Sequence, residues 1–144
     1  DMVVGPNYSE LVGWGFLCPC DVAKPKLTRA EQRRMKVRVD GVQSYLEHGK
    51  RQDGTWRPGI FFHKTISDCE DASRRFNEAG VRSKVISCEI TRTARQDIFD
   101  EYSRGDLDML CSPQALAEGF DSPRAEVCVL CRSASSLGTY LQMV

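Results

Sequence analysis

From Ile60 onward, short apolar runs alternate with stretches of helical spacing, and this alternation constrains the fold more than any other feature of the chain. "GIFFHK" reads as a short apolar strand. Ser67 with Glu70 has capping-box spacing, and the helix behind it carries Cys69, Ala72, Phe76 and Ala79 before a stop at Gly80. "SKVISC" is the next strand. Thr91 to Arg104 then reads as a helix with Ile98, Phe99 and Tyr102 as its apolar face, ended by Gly105. "LDMLCS" and "EVCVLC" read as two further buried strands, and "SSLGTYLQMV" begins a last helix. Strands alternating with helices imply parallel βαβ units with right-handed crossovers, so the pattern predicts an α/β fold.

The part before Ile60 is less regular. Asp1 to Pro25 holds three glycines in its first fifteen residues and reads as a connector, with a short helix at "YSELVGWG". Thr28 and Glu31 form a capping box for a helix reaching about Val39. "GVQSYLEHG" is a second helical stretch, and "KRQDGTWRPG" is a polar loop. The expected organisation is a connector over 1–27, a helical segment and loop over 28–56, and the α/β domain over 57–144.

At 144 residues the chain suits one domain with its own core. No apolar run approaches the roughly 20 residues that cross a bilayer, and the opening "DMVVGPNYSE" has no signal-peptide pattern. The lack of Met at position 1 and the apolar ending "LGTYLQMV" read as a piece cut from a longer chain. Seven cysteines are expected to be mainly structural thiols in a reducing, cytoplasmic setting. Cys18-Pro-Cys20 and Cys128-Val-Leu-Cys131 are weak as a zinc site, because strand parity sends Cys128 and Cys131 to opposite faces. Net charge is zero, yet residues 24–38 hold seven basic side chains against the single acid Glu31. Such a stripe suits phosphates or a solvated helix face equally well.

Phosphate-binding motifs are missing. There is no G-x-x-x-x-G-K-[ST] loop and no G-x-G-x-x-G behind a strand. With only His48 and His63 and no G-x-S-x-G, a nucleophile–histidine site is poorly supported; His63 is expected to be a satisfied or exposed strand-end residue. The stretch that asks for a function is "ALAEGFDSP", in the turn between two apolar strands. Loops after strand ends are where α/β proteins place ligand contacts, and Gly119 lets backbone approach a ligand closely.

Taken in order, "IFFHKTISDCEDASRRFNEAGV", "TARQDIFDEYSRGDLDMLCS", "ALAEGFDSP" and "SSLGTYLQMV" resemble the second, RecA-like lobe of superfamily 2 helicases, of the bacterial and phage type related to DEAD/DEAH helicases and restriction motors. The first stretch is similar to motif IV, "ALAEGFDSP" to motif V, and Gln142 to the first residue of motif VI. "GPNYSELVGWGFLCP" resembles the connector between the two lobes. The resemblance implies a three-layer α/β/α fold and a parent protein that is an ATP-dependent DNA helicase or translocase, with ATP and Mg2+ bound between this lobe and an N-terminal one. It places Glu118, Gly119, Asp121 and Gln142 at the ATP cleft, with Asp121 accepting a hydrogen bond from the ribose or a neighbour and Glu118 facing or coupling to nucleic acid. It suggests Lys64, Thr65, Arg92, Arg95, Ser112 and Gln114 as nucleic-acid contacts, mainly to phosphates, with DNA favoured over RNA.

The sequence departs from the family pattern in places. Ala117 stands where Thr is common, Pro113 and Gln114 are unusual, and the chain stops at Val144 before the expected G-R-x-x-R. No arginine finger and no first lobe are present, so this chain alone is expected to bind no cofactor and hydrolyse no ATP. The competing expectation is a catalytically silent helicase-like module that binds nucleic acid or protein.

Overall fold

The computed structural model describes residues 8–15, 40–113 and 122–131. The chain divides into two compact units, Asp1–Val37 and Arg38–Val144. In the first unit, helix α1 (Tyr8–Gly13) is followed by Gly15 at φ 78°. The second unit contains α2 (Gly41–His48), β1 (Gly59–Phe62), α3 (Ile66–Glu78), β2 (Ser83–Val85), α4 (Arg92–Arg104), β3 (Met109–Ser112) and β4 (Val127–Leu130). This unit begins before α2, which packs into it, so the helix belongs with the sheet that follows.

The four strands form one parallel sheet in the order β2-β3-β1-β4. Gly59 pairs with Met109 on one side and Val127 on the other, and Ser83 also pairs with Met109, so the strands start level. Alternation along each strand then divides the core in two. Phe61, Met109 and Cys111 join Cys69, Ala72 and Phe76 of α3 and Val42 and Tyr45 of α2. Leu110 and Ile86 join Tyr102 of α4, with Ile98 and Phe99 packed against them. The helices thus cover opposite faces, giving three layers. Steps from β1 to β2 and from β2 back to β3 run in opposite directions, and right-handed crossovers put their helices on opposite faces.

Tyr45, Phe61 and Phe76 tie the first cluster together. Phe76 meets both other rings edge-on, with centroids 5.4 Å apart. Burying each such side chain contributes about 1.5–3 kcal/mol. The Tyr45 hydroxyl donates to the Arg57 carbonyl at 2.6 Å, fastening the loop behind α2.

Local signals place most of these elements. Thr91 caps α4 by accepting the Ala94 N–H at 3.2 Å, and Gly105 ends it at φ 93°. The cap of α3 is a correction. It is Thr65, not Ser67: Thr65 Oγ1 accepts the Asp68 N–H at 3.1 Å and donates to Asp68 Oδ2 at 2.6 Å. Thr65 follows the strand closely and stays extended (φ −128°, ψ 161°), which lets the helix begin two residues earlier. The strand "EVCVLC" is a second correction. β4 alternates half-buried and exposed residues, with Leu130 37 % exposed: Val127 and Val129 pack against the first cluster, while Cys128 and Leu130 face away from it. Cys128 is exposed and Cys131 packs against the first cluster, so the two thiols do part by parity.

Candidate nucleic-acid interface

All four described strands run the same way, so their carboxyl ends form one edge. Backbone bonds carry the pairing just past the strands: His63 N–H donates to the Ser112 carbonyl at 3.2 Å, Ile86 N–H to Cys111 at 2.8 Å and Cys131 N–H to Phe62 at 2.8 Å. The residues that leave these rungs include most of the candidate nucleic-acid contacts. Lys64 and Thr65 follow β1, Ser112 closes β3, and Arg92 and Arg95 occupy the first turn of α4, after β2. Along the edge the order is therefore Arg92 and Arg95, then Ser112, then Lys64 and Thr65.

Their side chains differ in availability. Lys64 and Arg92 are exposed, and neither side chain has a hydrogen-bond or ion-pair partner in the second unit's described residues. Thr65 is engaged as the α3 cap. Ser112 is buried, 4 % exposed. Arg95 is half-buried; its Nη2 donates to the Ser87 carbonyl at 3.0 Å, and its Nε is buried without a partner. Glu118, Gly119, Asp121, Gln142 and Gln114 lie outside the described residues, as does the basic stripe up to Arg38.

The N-termini of α3 and α4 open onto this edge, and helix N-termini favour anions. Beside the α3 N-terminus lies a cavity of about 290 Å³ lined by Asp40, Phe61, His63, Asp68, Asp71, Arg75 and Cys131 among others. Asp40 caps α2, accepting the N–H groups of Val42 and Gln43, and its other oxygen takes the Arg75 guanidinium. That hydrogen bond holds the Asp40 carboxyl below its ordinary range and raises Arg75. His63 Nδ1 lies 2.9 Å from Asp68 Oδ2. Burial pushes the neighbouring Cys69 thiol up to about 11, which keeps it a protonated, unreactive core group. Among the described residues no three His, Cys, Asp or Glu side chains are grouped to hold a metal ion. No described helix is long and apolar enough to cross a membrane.

Sequence reasoning missed the Asp40–Arg75 pair and the Arg95–Ser87 bond. Asp40 before "GVQ" carried a legible N-cap signal. Its partner 35 residues away carried none.

The parallel three-layer α/β unit, with loop and helix ends along its carboxyl edge, has the architecture of a RecA-like domain. Residues 37–144 match the family described as "Helicase conserved C-terminal domain", and the chain belongs to that family. It is 27% identical over 103 residues to a 51.5 kDa protein of Lactococcus phage (isolate 7-9), covering 72% of this chain and 22% of the relative. It is 20% identical over 103 residues to the putative ATP-dependent helicase IRC3 of Saccharomyces cerevisiae, covering 72% of this chain and 15% of that one. A solved structure of the S. cerevisiae Dbp5 C-terminal domain aligns with TM-score 0.49 at 19% identity, over 58% of this chain and 45% of its own, too weak a likeness to add to the assignment. The chain thus spans less than a quarter of the length of either curated relative.

Proposed function

We propose that this chain is the second motor lobe of an ATP-dependent DNA helicase or translocase, and that the carboxyl edge of its sheet tracks the phosphate backbone. Family membership supports the lobe. The observation that carries the track is the pair of exposed cations without a side-chain partner among the described residues, Lys64 after β1 and Arg92 at the start of α4, set along one edge with two helix N-termini. In this reading Lys64 and Arg92 meet phosphates as charges, the first-turn amides of α3 and α4 add N–H donors, and Thr65 and Ser112 shape the floor between them. Glu118, Gly119, Asp121 and Gln142 face the ATP cleft, Asp121 toward the ribose, with Gln114 on the nucleic-acid side. ATP and Mg2+ are held chiefly by a first lobe carried elsewhere in the parent protein. Closing the two lobes on ATP and opening them after hydrolysis moves the edge along the strand.

The test is fluorescence anisotropy of labelled single-stranded DNA, duplex DNA and RNA with this chain across a salt series. Binding that weakens steeply with salt, and favours DNA, supports the reading. Salt-independent binding, or none at low salt, removes the edge from the track. A purified chain is expected to show no ATPase activity above buffer; turnover would refute the assignment of catalysis to the paired lobes.

A further inference from the structure

Arg92 and Arg95 lie three residues apart in the same first turn, yet they are held differently. Arg92 is exposed and has no side-chain partner among the described residues. Arg95 folds back across the loop that joins β2 to α4 and donates through Nη2 to the Ser87 carbonyl. Its Nε is shut away from solvent without an acceptor. A buried, unsatisfied donor on a cation costs stability and calls for an explanation. The loop supplies one. It leaves the sheet at Ile86 and Ser87, both buried, and carries exposed Cys88 and Glu89 before reaching the Thr91 cap. Within it the Glu89 N–H donates to Ser87 Oγ over a long 3.3 Å. The Arg95–Ser87 bond ties the start of this loop to the helix that presents Arg92.

We infer that Arg95 is a positioning residue for the nucleic-acid edge: its guanidinium fixes the β2–α4 loop and so aims Arg92 and the α4 amides, while Arg95 itself meets no phosphate. A planar guanidinium suits this role better than an ammonium, because its fork can lie flat against the loop with one arm on the carbonyl. The nucleic-acid half of the inference rests on the proposed function above; the loop-fixing half does not.

Two measurements on the 144-residue chain separate those halves, comparing the parent with Arg92→Ala, Arg95→Ala and Arg95→Lys. The first is amide hydrogen exchange in the free protein. Arg95→Ala and Arg95→Lys are expected to speed exchange at Cys88, Glu89 and Ile90 by about tenfold, with the interior of α4 unchanged. The second is the salt dependence of binding to a fluorescein-labelled oligothymidylate. Arg92→Ala is expected to lower the log–log slope by about 0.7, the value for one phosphate contact on a single strand. Arg95→Ala is expected to weaken binding by a similar factor at every salt concentration and to leave the slope unchanged, with Lys giving no rescue. A slope loss in Arg95→Ala equal to that in Arg92→Ala overturns the inference, as does loop exchange that stays at the parent rate. If the parent chain does not bind the oligonucleotide at any salt, the proposed function fails and loop exchange alone decides whether Arg95 positions the loop.

Discussion

The two edges of the sheet carry similar side chains and use them in opposite ways. At the amino edge the cations are mostly spent inside the fold. Arg82 grips Asp108 with two parallel bonds, Nε to Oδ2 at 2.9 Å and Nη2 to Oδ1 at 2.7 Å. Arg124 donates through Nη1 to the carbonyls of Tyr102 and Leu107 at 2.7 and 2.6 Å, and its guanidinium lies 5.1 Å from the Tyr102 ring centroid. Arg51 pairs with Glu126. Arg57 is the exception, exposed and without a side-chain partner among the described residues. At the carboxyl edge Lys64 and Arg92 have no side-chain partner among the described residues, while Asp40 is taken by Arg75 and Asp68 by His63 and the Thr65 cap. Most of the charge at the amino edge closes the structure, while Lys64 and Arg92 at the carboxyl edge stay exposed. A count of basic residues cannot tell these apart; partners can.

The largest effect expected from this contrast comes from Arg124→Ala. It removes two charge-assisted bonds and leaves two part-buried carbonyls, at a cost of about 3 kcal/mol in urea unfolding. DNA binding by the surviving folded fraction should not change. A variant of full stability that had lost DNA binding would break the division between the edges.

Next in size is the double variant Lys64→Ala/Arg92→Ala. Stability should stay within about 0.5 kcal/mol of the parent, as for exposed unpaired residues. The salt slope for single-stranded DNA should fall by about 0.7 for each contact removed. Anisotropy across salt, read beside a urea melt, checks both. A parallel Arg57→Ala variant sharpens the comparison, because that equally exposed cation sits at the other edge and should leave the slope alone.

The smallest effect is a pH dependence at the α2–α3 junction. Arg75 lowers the Asp40 carboxyl below its ordinary 3.8. Its stabilisation is therefore present in full above that ordinary value and is lost as pH falls through the lowered one. Both side chains are substantially exposed, so the pair contributes no more than about 0.5 kcal/mol. Arg75→Ala should cost that much at pH 7 and almost nothing once the pH is low enough to protonate Asp40 in the folded protein, measured by urea titration at the two pH values. An equal cost at both would mean that Arg75 stabilises by packing alone.

Much of the fold was legible because its signals are local. The β-α-β alternation, the Thr91 cap and the Gly105 stop each lie within a few residues, and each appears where propensity and capping chemistry put it. The Thr65 cap was misplaced by two residues because Thr65-x-x-Asp68 and Ser67-x-x-Glu70 offer overlapping capping boxes, and only the end of β1 selects the first. The candidate edge was legible as a set of residue types following strands. Which of those residues are free was not legible, since Arg92 and Arg95 look alike in sequence.

The sequence by itself determined the order and type of the elements and the family to which they belong. Tertiary structure decided the strand order β2-β3-β1-β4, and with it which loops share an edge. It decided why residue 41 is glycine, since a Cβ there would collide with Cys131 Sγ of the distant β4 end. It also decided which arginines are committed: Arg51 meets Glu126 across 75 residues and Arg82 meets Asp108 across 26. Capping and periodicity act over one or two turns of chain, so they are written in neighbouring residues. Edge sharing, close packing and charge pairing act through space, between segments that meet only when the sheet closes.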